Sequence, residues 1–506
     1  MFIHRCLVCG NSLNASVTGK GIDSVPEKQR ALVLQGGGSL GAYEAGAYNA
    51  IYQVLSKEDD EKLVSYRKPT FDIVAGTSIG AINSAVLVSY VIENGTYEGS
   101  AERLIDFWNY LSKESMAEAN MSFKPWWDYW HRINGTVATG EAARRYYSAK
   151  EFAISGVPNV FHPHPPTADQ KFFDTYNTWY RYSNEPLKRS LERFAKFPIA
   201  TRQEDNQPRL LLVTVDVAEG KPVVFDSYPN EYGSRRSEYG RYIRNGEKDI
   251  GFEYIIRYDD GITADHVIAS GSYPVNFDYA KIEVETYVPM DIKHHNVGAN
   301  VSSKNNVATN YKKEIRYFWD GGLMTNTPMT EVVMMHRRYW YQIRGLKDNI
   351  PSLGIAVINL HPTRQTEIPL DHDGVVNRNA DITFSDRTHR DEEILLLISD
   401  YIDLVKKLIT VAQENRIKQE IIDNILEKTT RFHGMFTRSL QYRDIVEGRF
   451  SIDEVIRIER RTDEHAISNK IFDFSVGTIR QLLNDGYNDA SYALQKYTQE
   501  RNQKKI

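Results

Sequence analysis

Cysteine is almost missing: 506 residues hold two, Cys6 and Cys9. Two thiols three positions apart cannot staple a large fold, so the composition points to a reducing compartment and a cytoplasmic location. Structural zinc takes four ligands, and no second pair exists beside this CxxC, so no metal is expected there and the residues read as thiols in an amino-terminal tail. An excess of positive charge is missing too. The net charge is −5, which offers phosphates no global attraction and argues against nucleic acid as a partner. The first fifteen residues have no continuous apolar core, so no secretory signal is expected. Residues 73–92 carry no charge, yet Gly76, Thr77, Ser78, Gly80, Asn83, Ser84 and Ser89 make them too polar for a hydrocarbon-facing helix. They read instead as a strand, a tight turn and a buried helix.

What is present suits a globular chain of more than one ordinary domain, with 41% hydrophobic and 25% charged residues. Short apolar runs followed by glycine turns and helices open the sequence at 31–50 and again at 71–92, the pattern of an α/β fold. LLLVTV within 209–217 and LGIAVI within 353–360 mark strands buried on both faces, as in a mostly parallel central sheet covered by helices. Further strands are expected at 221–225 and 314–319. Three excursions interrupt them. Residues 113–205 hold Trp126, Trp127, Tyr129 and Trp130, which could line an acyl channel or meet a membrane and more plainly form a satellite cluster. Residues 227–260 and 294–313 read as covers or loops. His162 and His164 flank prolines, and two ligands do not make a metal site. Beyond 366 a polar linker leads to helices, the first with Ile394, Ile398, Ile402, Val405 and Ile409 spaced to place one face against a core. Residues 452–464 and 476–483 are expected to be helical as well.

Chemistry concentrates in three places. Gly76-Thr77-Ser78-Ile79-Gly80, between a strand and a helix, is a nucleophile elbow, whose serine is forced into a strained turn and faces a helix amino terminus. Gly36-Gly37-Gly38-Ser39-Leu40-Gly41, also between strand and helix, offers vacant backbone N–H groups for an oxyanion. The same glycines could open a dinucleotide site, but that fold wants an acidic residue ending the next strand, and Glu58 to Glu61 sit in a solvated charge run instead. Asp320-Gly321-Gly322 ends an apolar strand, where a carboxylate can project into a cleft; alone, such a triplet is an ordinary turn. His361, after another strand, would complete a Ser-Asp-His triad, against a plainer structural role.

Taken in this order, GGGSLGAYEAG, GTSIG and DGG resemble the patatin-like phospholipase family. The likeness also touches SNEPLKRSLERF at 183–194 and IASGSYPVNF at 268–277. ADITFSDRTHRDE and DFSVGTIRQLLNDGYNDA are similar to an extension in one microbial subgroup of that family. The resemblance implies a three-layer α/β/α fold, with a tail at 1–29, a catalytic domain at 30–365 and a helical carboxyl-terminal extension at 366–506. It implies a cofactor-free serine acyl hydrolase acting on lipid or other acyl esters, with Ser78 as nucleophile and Asp320 as base. The amides of Gly36, Gly37, Gly38 and Ser39 would form the oxyanion hole, and Gly41, Gly76, Gly80, Gly321 and Gly322 are the glycines of the motifs. Many members carry Arg or Lys where this chain has Leu40, so any contact made by that cation is absent. Peripheral membrane contact and oligomeric state stay open, as does a catalytically silent, partner-binding role.

Overall fold

Alternation along the first apolar run decides the layering. In the strand Lys28–Leu34 (β1), Leu32 and Leu34 point into one hydrophobic cluster while Ala31 and Val33 point into another, because successive side chains of a strand leave opposite faces. Both faces are therefore covered, as in a three-layer α/β/α arrangement. The computed structural model describes residues 25–61, 70–119, 140–164, 180–245, 248–288, 310–347, 350–430, 441–448, 452–461 and 465–503. The Cys6/Cys9 pair and Trp126 to Trp130 lie outside them.

Nine further strands join β1 in one sheet: Ile73–Thr77 (β2), Arg209–Asp216 (β3), Lys221–Asp226 (β4), Arg236–Asn245 (β5), Lys248–Arg257 (β6), Ala280–Val288 (β7), Asn310–Asp320 (β8), Ser352–Asn359 (β9) and Ile452–Glu459 (β10). The order is β10-β9-β1-β2-β3-β8-β7-β6-β5, with β4 also on β3. From β10 to β3 all pairings are parallel, and β3 is buried along its whole length. From β3 outward they turn antiparallel.

Helices Gly41–Glu61 (α1), Ile79–Asn94 (α2) and Ser100–Leu111 (α3) cover one face. The long excursion contributes Gly140–Ser155 (α4) and Glu185–Phe194 (α5), and Ala264–Ser270 (α6) follows. On the other face, Met329–Arg337 (α7) supplies Met329, Val332, Val333 and Met335. Then come His372–Phe384 (α8), Thr388–Glu414 (α9), Gln419–Leu426 (α10) and Val476–Gln503 (α11), the last packed along α1. No helix among the described residues is long and apolar enough to cross a membrane.

Three expectations are corrected. Residues 452–459 form a strand, not a helix: parallel pairing with β9 buries Ile458 and overrides the helical reading of SIDEVIRIER. Within 227–260, β5 and β6 form a hairpin that extends the sheet, so this segment is not a cover or a loop. α9 does not bury the apolar face read from its spacing, because Ile394, Ile398 and Val405 remain exposed.

The carboxyl-terminal segments thus join the α/β/α layers through shared strands and side chains. Asp386 accepts from Asn359 at the end of β9, from Arg457 of β10 and from the Thr388 amide at the start of α9. Ile479 of α11 is fully buried in the larger core. Ile479→Ala is expected to lower the unfolding free energy by about 2–5 kcal/mol in urea titration, and a chain cut at residue 365 should lose cooperative unfolding.

Candidate active site

The sharpest backbone feature lies at the end of β2. Ser78 has φ 56° and ψ −124°, a conformation costly for a non-glycine residue. Its surroundings hold it there. A Cβ on Gly80 would lie 2.9 Å from the Gln35 carbonyl oxygen, and one on Gly76 would lie 2.6 Å from the Ala81 nitrogen, so only glycine fits on either side. The Ser78 N–H donates to Ser270 Oγ at 3.0 Å, and Ser270 in turn donates to the Val213 carbonyl. The chain then enters α2, with the hydroxyl at the positive end of the helix.

Asp320 arrives from across β3. Thr77 is in register with Val213 and Asp320 with Thr214, so the two turns stand at one level on either side of a single strand. The Asp320 side chain accepts a hydrogen bond from the Gly322 amide at 2.7 Å, and the Ser78 side chain is near enough to favour its charged form. Asp320 is only 2% exposed. Burial pushes its carboxyl up to about 7 against the opposing influence of Ser78 and the Gly322 amide. Gly321 fits directly beneath, where a Cβ would meet the Val213 backbone and Thr77.

The glycine loop after β1 completes the cleft. A Cβ on Gly36 would stand 2.5 Å from Asn326 Oδ1 and 2.9 Å from Ser78 Cβ, and its own N–H donates to the Asn326 carbonyl at 3.3 Å. Gly36 therefore gives close approach, while its amide is already engaged. The Gly37 and Gly38 amides have no acceptor among the described residues. Gly38 takes φ +59° with Ile471 against it, and Ser39 donates its hydroxyl to the Lys470 carbonyl at 2.7 Å. Gly41 closes the turn against Ile79 and Trp108, and Leu40 is buried. Beside the Asp320 turn a cleft of about 240 Å³ is lined by Gly322, Met324, Asn326, Thr330, Glu331 and Arg387, among others.

His361 is committed elsewhere. Its Nδ1 lies 3.0 Å from Asp381, and burial lowers its basicity. Two residues not singled out in the sequence matter to the site. Gln35, fully buried, accepts from the Leu360 and His361 amides and donates to Thr327 Oγ1 and the Phe384 carbonyl. It ties the glycine loop to the end of β9 and to the turn after Asp320, and its only signal was a polar residue placed between an apolar strand and the glycines. The other is Glu44.

Residues 32–333 match the family model described as patatin-like phospholipase. Among solved structures, the chain is similar to VipD from Legionella pneumophila at 12% identity, over 93% of this chain and 67% of that one, with a TM-score of 0.28. No curated protein matches.

Glu44, in the first turn of α1, accepts from Asn83 at 2.8 Å, and Asn83 also accepts from Trp108 Nε1. This network joins α1, α2 and α3 behind the glycine loop. Full burial raises the Glu44 carboxyl well above its usual range, outweighing the hydrogen bond from Asn83 and the nearby Gln35 backbone. It is held neutral in the fold while the unfolded chain ionises from about pH 4.5 upward, so its contribution to stability falls as pH rises, by up to about 1.4 kcal/mol per pH unit until the folded group ionises. Glu44→Gln, which keeps the neutral shape, should remove that slope. Comparing urea midpoints of the two proteins between about pH 5 and pH 8 checks this, and parallel pH curves would count against it.

Proposed function

Because the chain belongs to the patatin-like phospholipase family, whose members hydrolyse lipid acyl esters, we propose that it does so through a Ser78–Asp320 dyad and an acyl-enzyme. The observation that carries this reading is the register that sets Ser78 and a carboxyl group shielded from water at one level on either side of β3. As Ser78 Oγ bonds to the ester carbon, its proton passes to the Asp320 carboxylate and the carbonyl electrons move onto oxygen. The Gly37 and Gly38 amides supply donors for that charge, each worth roughly 10²–10³-fold in rate. Collapse breaks the bond to the alcohol, which leaves with the proton from Asp320. Water then attacks the acyl-enzyme, gives its proton to Asp320 and releases the acid, and Ser78 recovers its proton. A base poised near neutrality suits both halves of this cycle.

In this reading residues 30–365 hold the chemistry and the segments after 366 back the glycine loop. Leu323 and Met324 are exposed next to the Asp320 turn, where peripheral contact with a lipid surface from the cytoplasmic side would deliver substrate. Ser78→Ala and Asp320→Asn should each lower acyl-ester hydrolysis by at least about 10³-fold with unchanged circular dichroism. Ser78→Ala should also abolish labelling by a fluorophosphonate probe, and labelling that survives it would disprove the assignment.

The base works only when ionised. For the parent, kcat/KM should therefore rise about tenfold per pH unit up to about pH 7 and level off above it. A profile flat between about pH 5 and pH 8 would exclude Asp320 as the base.

A further inference from the structure

Among the described residues a continuous row of exposed apolar side chains lies on α9. One side of this helix is anchored: Leu395 packs against the smaller core, Asp391 accepts from Thr330 at 3.0 Å, and Glu392 pairs with Arg457 at 2.7 Å. The opposite side points to solvent. Ile394, Leu397, Tyr401, Leu404, Leu408 and Val411 are between 44% and 62% exposed. Their spacing is three and four in alternation, so that 394, 401 and 408 fall at one position of a seven-residue repeat and 397, 404 and 411 at another. This is a seam of the kind that packs against another helix. Ile398 and Val405 widen it on one border, while Glu393, Asp400 and Lys407 occupy the other.

We infer that this face of α9 pairs with the same face of a second copy of the chain, the two helices running antiparallel. Two features select that occupant. The first is charge. In an antiparallel pair the border carrying 393, 400 and 407 meets its own counterpart, and stacking 394 on 411, 397 on 408 and 401 on 404 sets Lys407 of the partner subunit beside Asp400, twice by symmetry. In a parallel pair the same charges would face Ile398 and Val405. A lipid surface is met instead by helices whose polar side is rich in Lys and Arg, and two of the three border charges here are acidic. The second feature is area. Eight half-exposed side chains offer on the order of 800 Å² per copy, which is one partner's share of a standard interface. A patch of that size exceeds what a monomer usually exposes. The inference is independent of the catalytic reading, since none of these side chains belongs to the cleft.

Sedimentation equilibrium of the full chain tests it. The parent should be a dimer in the micromolar range, and Leu404→Asp or Leu408→Asp should weaken association by at least about 30-fold. Lys407→Glu should weaken it by about tenfold, and adding Asp400→Lys to that variant should restore it. Circular dichroism and p-nitrophenyl ester hydrolysis should be unchanged throughout, because the substituted side chains are exposed. A parent that stays monomeric across the micromolar range overturns the proposal. So does a dimer indifferent to Leu404→Asp and Leu408→Asp. Co-sedimentation of a monomeric parent with phosphatidylcholine or phosphatidylserine vesicles, lost in those two variants, would assign the face to lipid and overturn it equally.

Discussion

A carboxyl group shut away from water is raised toward neutrality by its burial, and the two strand ends that flank β3 hold Asp320 in that setting, with the Gly322 amide donating to it and Ser78 beside it. Burial raises its pKa, and the Ser78 side chain and the Gly322 amide work against that rise. The balance needs the serine on one side of β3 and the aspartate on the other at the same height. The parallel register of β2 with β3 and the antiparallel register of β8 with β3 provide that. The change of sheet direction at β3 is therefore what lets two strand ends converge on one point.

The rest of the cleft is held by buried polar groups with many partners. Gln35 binds four groups from three segments, Ser270 both accepts from the elbow and donates to β3, and Asn326 is bonded to the backbone on both sides of Gly36. In surroundings of low polarity each such bond is stronger than in water, and each loss leaves an unsatisfied group. This is how a serine in an unfavourable backbone conformation is kept in place.

Much of this could be read from residues in order. GTSIG, GGGSLG and DGG mark turns that need glycine for room, and the apolar runs around them marked the inner strands of the sheet, since both signals are local. What escaped reading depends on partners distant in sequence. Residues 452–459 alternate weakly enough to suit helix or strand, and pairing with β9 decided. The apolar spacing of α9 gave a helix but not the direction its face would point, which depends on Asp391, Glu392 and Leu395 fixing the other side. Gly36 belonged to the motif, but nothing in the motif says that Asn326, 290 residues away, takes up its amide. The role of His361 likewise rests on Asp381, reached only through the fold.

The contact between the glycine loop and residues 470–471 has a consequence for the timing of synthesis. Gly38 is backed by Ile471 and Ser39 is fastened to Lys470, so a nascent chain can already have Ser78 and Asp320 outside the ribosome while the loop that faces them lacks its support. The backbone of that loop would then gain its packing partners only once residues 470–471 have emerged, more than a hundred residues after Asp320.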